Sequence, residues 1–132
     1  MKMESAIPKC PPLDETTIHT TVCKHLHARA VPNCIWLHPA NGGLRLISEA
    51  RKFAGLGVLA GAADLILLHS GRFFALEIKR DRKSRVSPKQ RAFLAAVKAA
   101  GGEAEIGYGL DDALRKLENW KLLRGTMQAA GW

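Results

Sequence analysis

Apolar residues recur in the first third of the chain at four-residue steps, Ile18, Val22, Leu26 and Ala30. That spacing predicts an amphipathic helix capped by Asp14 and running to about Arg29. Val31-Pro32-Asn33 breaks it, and the apolar run 34–38 predicts a short strand before the loop His38-Pro39-Ala40-Asn41-Gly42-Gly43. Leu46, Ile47, Ala50 and Phe53 give residues 46–54 an inward stripe, a second short helix that Gly55 and Gly57 end. Two apolar runs, 65–68 and 73–78, then flank Ser70-Gly71, the pattern of a β-hairpin. Ser87-Pro88-Lys89-Gln90 is a strong helix start, with Ser as N-cap, Pro at the first helical position and Gln completing a capping box. That helix runs to about Ala100 with Phe93, Leu94 and Val97 inward, and Gly101-Gly102 stops it. Residues 103–108 alternate as a strand with Ala104, Ile106 and Tyr108 on one face. A last helix runs from Asp111 to about Leu123, burying Ala113, Leu114, Leu117 and Trp120.

The order is therefore α-β-α-β-β-α-β-α: an α/β chain with a small mixed sheet flanked by helices. Residues 1–12, with three prolines, read as a mobile arm and 125–132 as a short tail around one domain, 13–124. Trp36, Trp120 and Trp132 read as core or interface positions.

The hairpin carries the candidate chemistry. With Ser70-Gly71 as its loop, His69 pairs with Arg72, and counting outward sets Asp64 directly opposite Glu77. Opposed residues share a face with Cβ atoms roughly 5 Å apart. Lys79, two residues beyond Glu77, points the same way. Two carboxylates and one ammonium so arranged form either a cross-strand ion cluster or a metal site. Facing like charges destabilise a sheet, and a divalent cation with oxygen ligands relieves them better than Lys79 alone. Glu15 lies on or beside the buried stripe of the first helix; it is either a further carboxylate at the site or a first-turn acid favoured by the helix dipole.

Charge sharpens this picture. The 132 residues carry a formal net charge of +8. From Lys79 to Arg91 there are seven Lys/Arg (Lys79, Arg80, Arg82, Lys83, Arg85, Lys89 and Arg91) and one acid, Asp81, a net +6. A basic run that begins at a candidate metal site reads as a phosphate-binding surface for nucleic acid. An aromatic content of 6% argues against a module that stacks single strands. No apolar run approaches the ~18 residues a membrane helix needs, and residues 1–12 lack the apolar segment of a signal peptide. Cys10, Cys23 and Cys34, an odd number at wide spacing, suit a reducing cytoplasm and no zinc site.

Asp64, Glu77-Ile78-Lys79 and the basic loop together resemble the PD-(D/E)xK superfamily of restriction-endonuclease-like nucleases, and specifically the VRR-NUC family. The matching pieces run in order: the Glu15 helix, His38-Pro39-Ala40-Asn41-Gly42-Gly43, Gly57-Val58-Leu59-Ala60-Gly61-Ala62-Ala63-Asp64, Glu77-Ile78-Lys79, Ser87-Pro88-Lys89-Gln90, and Gly101-Gly102 before a strand. Each is weak alone; the ordered set is specific. One departure is Ala63, where the family usually has Pro. The resemblance implies that Asp64 and Glu77 bind Mg²⁺ or Mn²⁺ with the backbone carbonyl of Ile78, and that Glu15 adds a carboxylate directly or through water. Lys79 would hold or deprotonate the attacking water, and Gln90 would steady the site, a role that need not exclude the capping box. His38 and Asn41 are candidates for the DNA groove beside Arg80, Arg82, Lys83, Arg85, Lys89 and Arg91, although a strand-end His is more often structural. His19 could face the site but reads more simply as a partly exposed helix residue; His25, His27 and His69 read as surface positions.

The activity so implied is a metal-dependent DNA endonuclease, similar to the small stand-alone phage and bacterial members that resemble Holliday-junction resolvases and act as homodimers, in the cytoplasm of a bacterial or phage-infected cell. A non-catalytic DNA-binding protein on a nuclease fold, and a nickase or flap nuclease working with a partner protein, are the alternatives.

Overall fold

A tight reversal at Ser70 and Gly71 organises the sheet. Both residues have positive φ, 52° and 74°, the conformation a two-residue hairpin turn needs to match strand twist. It joins β2 (Leu65–His69) to β3 (Arg72–Lys79) in the expected register, from His69 opposite Arg72 to Leu65 opposite Leu76. The computed structural model describes residues 13–39 and 61–125. The expected arm 1–12, the 46–54 helix, Asn41 and the tail beyond residue 125 with Trp132 lie outside the described residues.

Before the hairpin come α1 (Glu15–Arg29) and β1 (Ile35–Leu37), which pairs antiparallel with β2. After it, α2 (Pro88–Ala99) crosses over to β4 (Glu103–Tyr108), which pairs parallel with β3 and leads into α3 (Leu110–Asn119). The sheet order is β1-β2-β3-β4. The fold class expected from the sequence is thus what the described residues show: a small mixed sheet with helices on both faces.

The two faces are built differently. Alternation puts Leu65, Leu67, Phe74, Leu76 and Ile78 on one side, where they meet Ile18, Val22 and Leu26 of α1 and Ala113 and Leu117 of α3. The other side offers Ala75, Ala104, Ile66 and the preceding Ala63 to Leu94 and Val97 of α2.

Two boundaries differ from expectation. The last helix stops at Asn119 rather than near Leu123, because Lys121 takes a left-handed φ of 67° and the Leu122 N–H turns back to the Leu117 carbonyl. Leu122 and Leu123 are still buried, and Leu123 bridges to Ala30. The first strand is three residues rather than five, with Ile35 and Leu37 exposed. Arg29, at the foot of the α1 stripe, is buried: its guanidinium donates to Glu118 at 2.7 Å, to the Arg124 carbonyl and to His25 Nδ1. This tie clamps the end of α1 to the end of α3.

Candidate functional site

The carboxyl end of β3 and the entry to β2 meet at one end of the sheet. Asp64 lies one residue beyond the last ladder pair, Leu65 and Leu76, and so comes next to Glu77. Its Oδ2 accepts a 2.7 Å hydrogen bond from the Ile78 N–H, which fixes the carboxylate against β3. Glu77 and Lys79 are both buried, with Lys79 Nζ 3.7 Å from Glu77 Oε2. The Gly109 N–H donates to the Lys79 carbonyl at 2.8 Å, pinning the strand end from its other side.

Gln90 reaches the same carboxylate from α2. The helix start is the expected capping box: Ser87 Oγ accepts from the Gln90 N–H, and Gln90 Oε1 accepts from the Ser87 N–H. The Gln90 amide nitrogen then donates to Glu77 Oε2 at 2.8 Å. One side chain therefore caps the helix with its oxygen and holds the acid with its nitrogen. Gly61 allows the approach. Its φ is +80°, and a Cβ there would lie 2.6 Å from the Lys89 carbonyl carbon and oxygen.

Burial, first, and then the negative charge of Asp64 push the Glu77 carboxyl up to about 8, against the opposing pull of Lys79; a hydrogen bond with Asp64 and the charge of Glu15 act in the same upward direction. Asp64 and Glu77 thus meet beside a single ammonium, and the exposed Glu15 at the start of α1 adds its charge from farther off. Such a surplus of negative charge in a partly dry site fits a divalent cation, and a set of carboxylate oxygens is the donor chemistry of Mg²⁺ or Mn²⁺.

On the other side of Asp64 a cleft of about 560 Å³ opens, lined by Glu15, Thr16, His19, Thr20, Cys23, His38 and Asp64. His38 Nδ1 lies 2.6 Å from the Asp64 backbone oxygen, and the His19 ring meets the His38 ring edge-on at 4.7 Å. Burial, and then His38, lower the His19 pKa while Asp64 pulls it up. His19 is partly exposed on α1, as the sequence suggests, and it also lines the cleft beside Asp64. Its only signal in the sequence was its place one turn after Glu15. His25 and His69 are half-buried rather than at the surface, His25 accepting from Arg29 and His69 lying 3.3 Å from the Asn33 carbonyl oxygen. Of the tryptophans, Trp36 and Trp120 pack against the core beneath α1 and α3.

The basic residues Arg80, Arg82, Lys83, Arg85, Lys89 and Arg91 are all exposed. They lie on the loop from β3 to α2 and on the first turn of α2. The loop is not loose: the Asp81 carboxylate accepts from the Lys83 N–H at 2.9 Å, Val86 is buried, and Arg82 lies over the Tyr108 ring at 5.0 Å. Exposed cations on the segment that leaves the carboxylate site are suited to a polyanion that must bring one phosphate to that site.

No family model and no curated protein matches the chain. A solved structure described as a VRR_NUC domain protein does, with a TM-score of 0.70, 24% identity, and coverage of 86% of this chain and 93% of that one. The resemblance read from the ordered motifs is thereby borne out for the fold. This protein has the fold of a VRR_NUC domain.

Proposed function

We propose that the chain is a VRR-NUC nuclease, a metal-dependent DNA endonuclease that hydrolyses phosphodiester bonds and acts as a homodimer on branched DNA. The observation that carries this reading is the meeting of Asp64, Glu77 and Lys79 beside Gln90, with Glu77 and Lys79 both buried. Asp64, Glu77 and Glu15, with the Ile78 carbonyl, are the candidate ligands of Mg²⁺ or Mn²⁺. A divalent ion held there supplies charge relief at the phosphoryl group and a more acidic water.

The chain's own groups would do the rest. Lys79 would hold the attacking water and stabilise negative charge on the phosphoryl oxygens. Gln90 would keep Glu77 turned toward the site. Arg80, Arg82, Lys83, Arg85, Lys89 and Arg91 would bind the backbone, with His38 and Asn41 as further candidates along the groove. A homodimer would supply the two sites that symmetric junction cleavage requires. Ile35, Leu37, Leu68 and Phe73 support it, since β1 is at the sheet edge and these four are exposed. No helix among the described residues is long and apolar enough to cross a membrane.

The test is cleavage of a labelled four-way junction beside linear duplex, flap and single strand, with Mg²⁺, Mn²⁺ or EDTA. Paired, metal-dependent nicks in the junction are expected. Tight binding with no cutting in either metal would replace the reading with a binding-only protein.

A further inference from the structure

We propose that His19, His38 and Asp64 form a second cation site, one that takes a divalent transition-metal ion of the Mn²⁺, Co²⁺ or Zn²⁺ class in preference to Mg²⁺. This inference goes beyond the nuclease reading and stands without it.

One ligand atom from each of the three residues lies within 4.8 Å of those of the other two, close enough for a single ion to gather them with small side-chain rotations. The His38 ring is already set for the task. A carbonyl oxygen can only accept, so Nδ1, 2.6 Å from the Asp64 carbonyl, carries the proton, and in the neutral ring Nε2 is the nitrogen that offers a lone pair. A backbone carbonyl on the far nitrogen is how metal-binding imidazoles are commonly oriented and their tautomer fixed. His19 is half-buried in the same cleft and meets His38 edge-on, with no ring nitrogen engaged in a hydrogen bond among the described residues that would compete with a metal. The cleft of about 560 Å³ gives an entry path and room for water at the remaining positions.

Ligand chemistry selects the ion. Two nitrogens and one carboxylate oxygen suit first-row transition metals, whereas Mg²⁺ prefers oxygen and keeps its waters. Asp64 is common to this set and to the oxygen set with Glu77, so the two sites adjoin through one carboxylate. The imidazole side would then set which metal the protein prefers, and the oxygen side would not.

The experiment is metal binding to the whole chain without DNA. Calorimetric titration with Co²⁺, Mn²⁺ and Mg²⁺ would be paired with pulsed EPR of the Mn²⁺-loaded protein. The wild type is expected to show nitrogen hyperfine coupling from imidazole and to bind Co²⁺ at least about tenfold more tightly than Mg²⁺. His19→Gln and His38→Gln should each weaken Co²⁺ binding by about tenfold or more and reduce the nitrogen coupling, while Mg²⁺ affinity holds. Glu77→Gln should do the opposite, weakening Mg²⁺ and sparing the nitrogen signal. Absence of nitrogen coupling in the wild type overturns the proposal whatever the variants do. So does equal Co²⁺ affinity in the wild type and both histidine variants. A protein that shows the coupling and never cuts DNA would keep this site and lose the nuclease reading; one that cuts with Mg²⁺ and shows no coupling would do the reverse.

Discussion

The two faces of the sheet differ in the size of their side chains, and the difference separates stability from chemistry. Toward α1 and α3 the sheet presents Leu65, Leu67, Phe74, Leu76 and Ile78, all 1% exposed or less. Toward α2 it presents mostly small residues, Ala63, Ala75 and Ala104, beside Ile66. Large residues fill the thick layer and supply most of the buried apolar area. Small ones let α2 sit close to the strands, so that a side chain from its first turn can touch Glu77. The face with the thinner core is the one on which the site is assembled.

The largest test of that division sets Phe74→Ala against Asp64→Ala. Truncating Phe74 should cost about 3–5 kcal/mol of stability in denaturant unfolding, with the cleavage rate of the protein that remains folded little changed. Asp64→Ala, like Lys79→Ala, should lower cleavage by about a thousandfold or more while largely sparing DNA binding in a gel-shift assay. If Asp64→Ala and Lys79→Ala both cut at the wild-type rate, the site assignment falls.

Next comes the spacing of α2. Gly61→Ala introduces a Cβ 2.6 Å from the Lys89 backbone at a positive φ. It should cost on the order of 2–3 kcal/mol and, by moving Gln90 off Glu77, weaken Mg²⁺ binding measured by calorimetry. Ser87→Ala sharpens the same point at smaller scale. It removes the N-cap, worth about 1 kcal/mol, and should reduce metal affinity, because Gln90 caps the helix and holds the acid at once.

The last test turns on pH. The Glu77 carboxyl is raised from 4.5 to about 8. In the metal-free protein the folded state therefore holds a proton between those values that the unfolded chain has released. The contribution of this group to stability is fully present below 4.5 and is lost as pH rises through about 8. Thermal melts of the metal-free protein should show Glu77→Gln gaining on the wild type at pH 8.5 and not at pH 4. Because the ligand must lose its proton, Mg²⁺ affinity of the wild type should rise with pH over the same window.

Much of this arrangement could be read from local pattern. The hairpin is written in period-two runs about a Ser-Gly turn, so the Asp64–Glu77 pairing follows by counting. The Ser87–Gln90 capping box is likewise a local signature. What the sequence could not show depends on how elements dock. His19 becomes a neighbour of Asp64 only because α1 lies across this end of the sheet. Arg29 reads as a helix-end cation until Glu118 arrives from α3, 89 residues later. The end of α3 was hidden because Lys121, not a glycine, takes the left-handed conformation that stops it.

The two-residue turn at Ser70 and Gly71 also has a kinetic consequence. Asp64 and Glu77 are joined by one local hairpin, and hairpins close within about 1–10 microseconds, before β4 and α3 have been added across the longer crossover. The two acids are therefore driven together early, when little else opposes their repulsion. A divalent ion should then lower the barrier to folding as well as stabilise the product: with Mg²⁺ or Mn²⁺ present, the refolding arm of a chevron plot should rise for the wild type and stay level for Glu77→Gln.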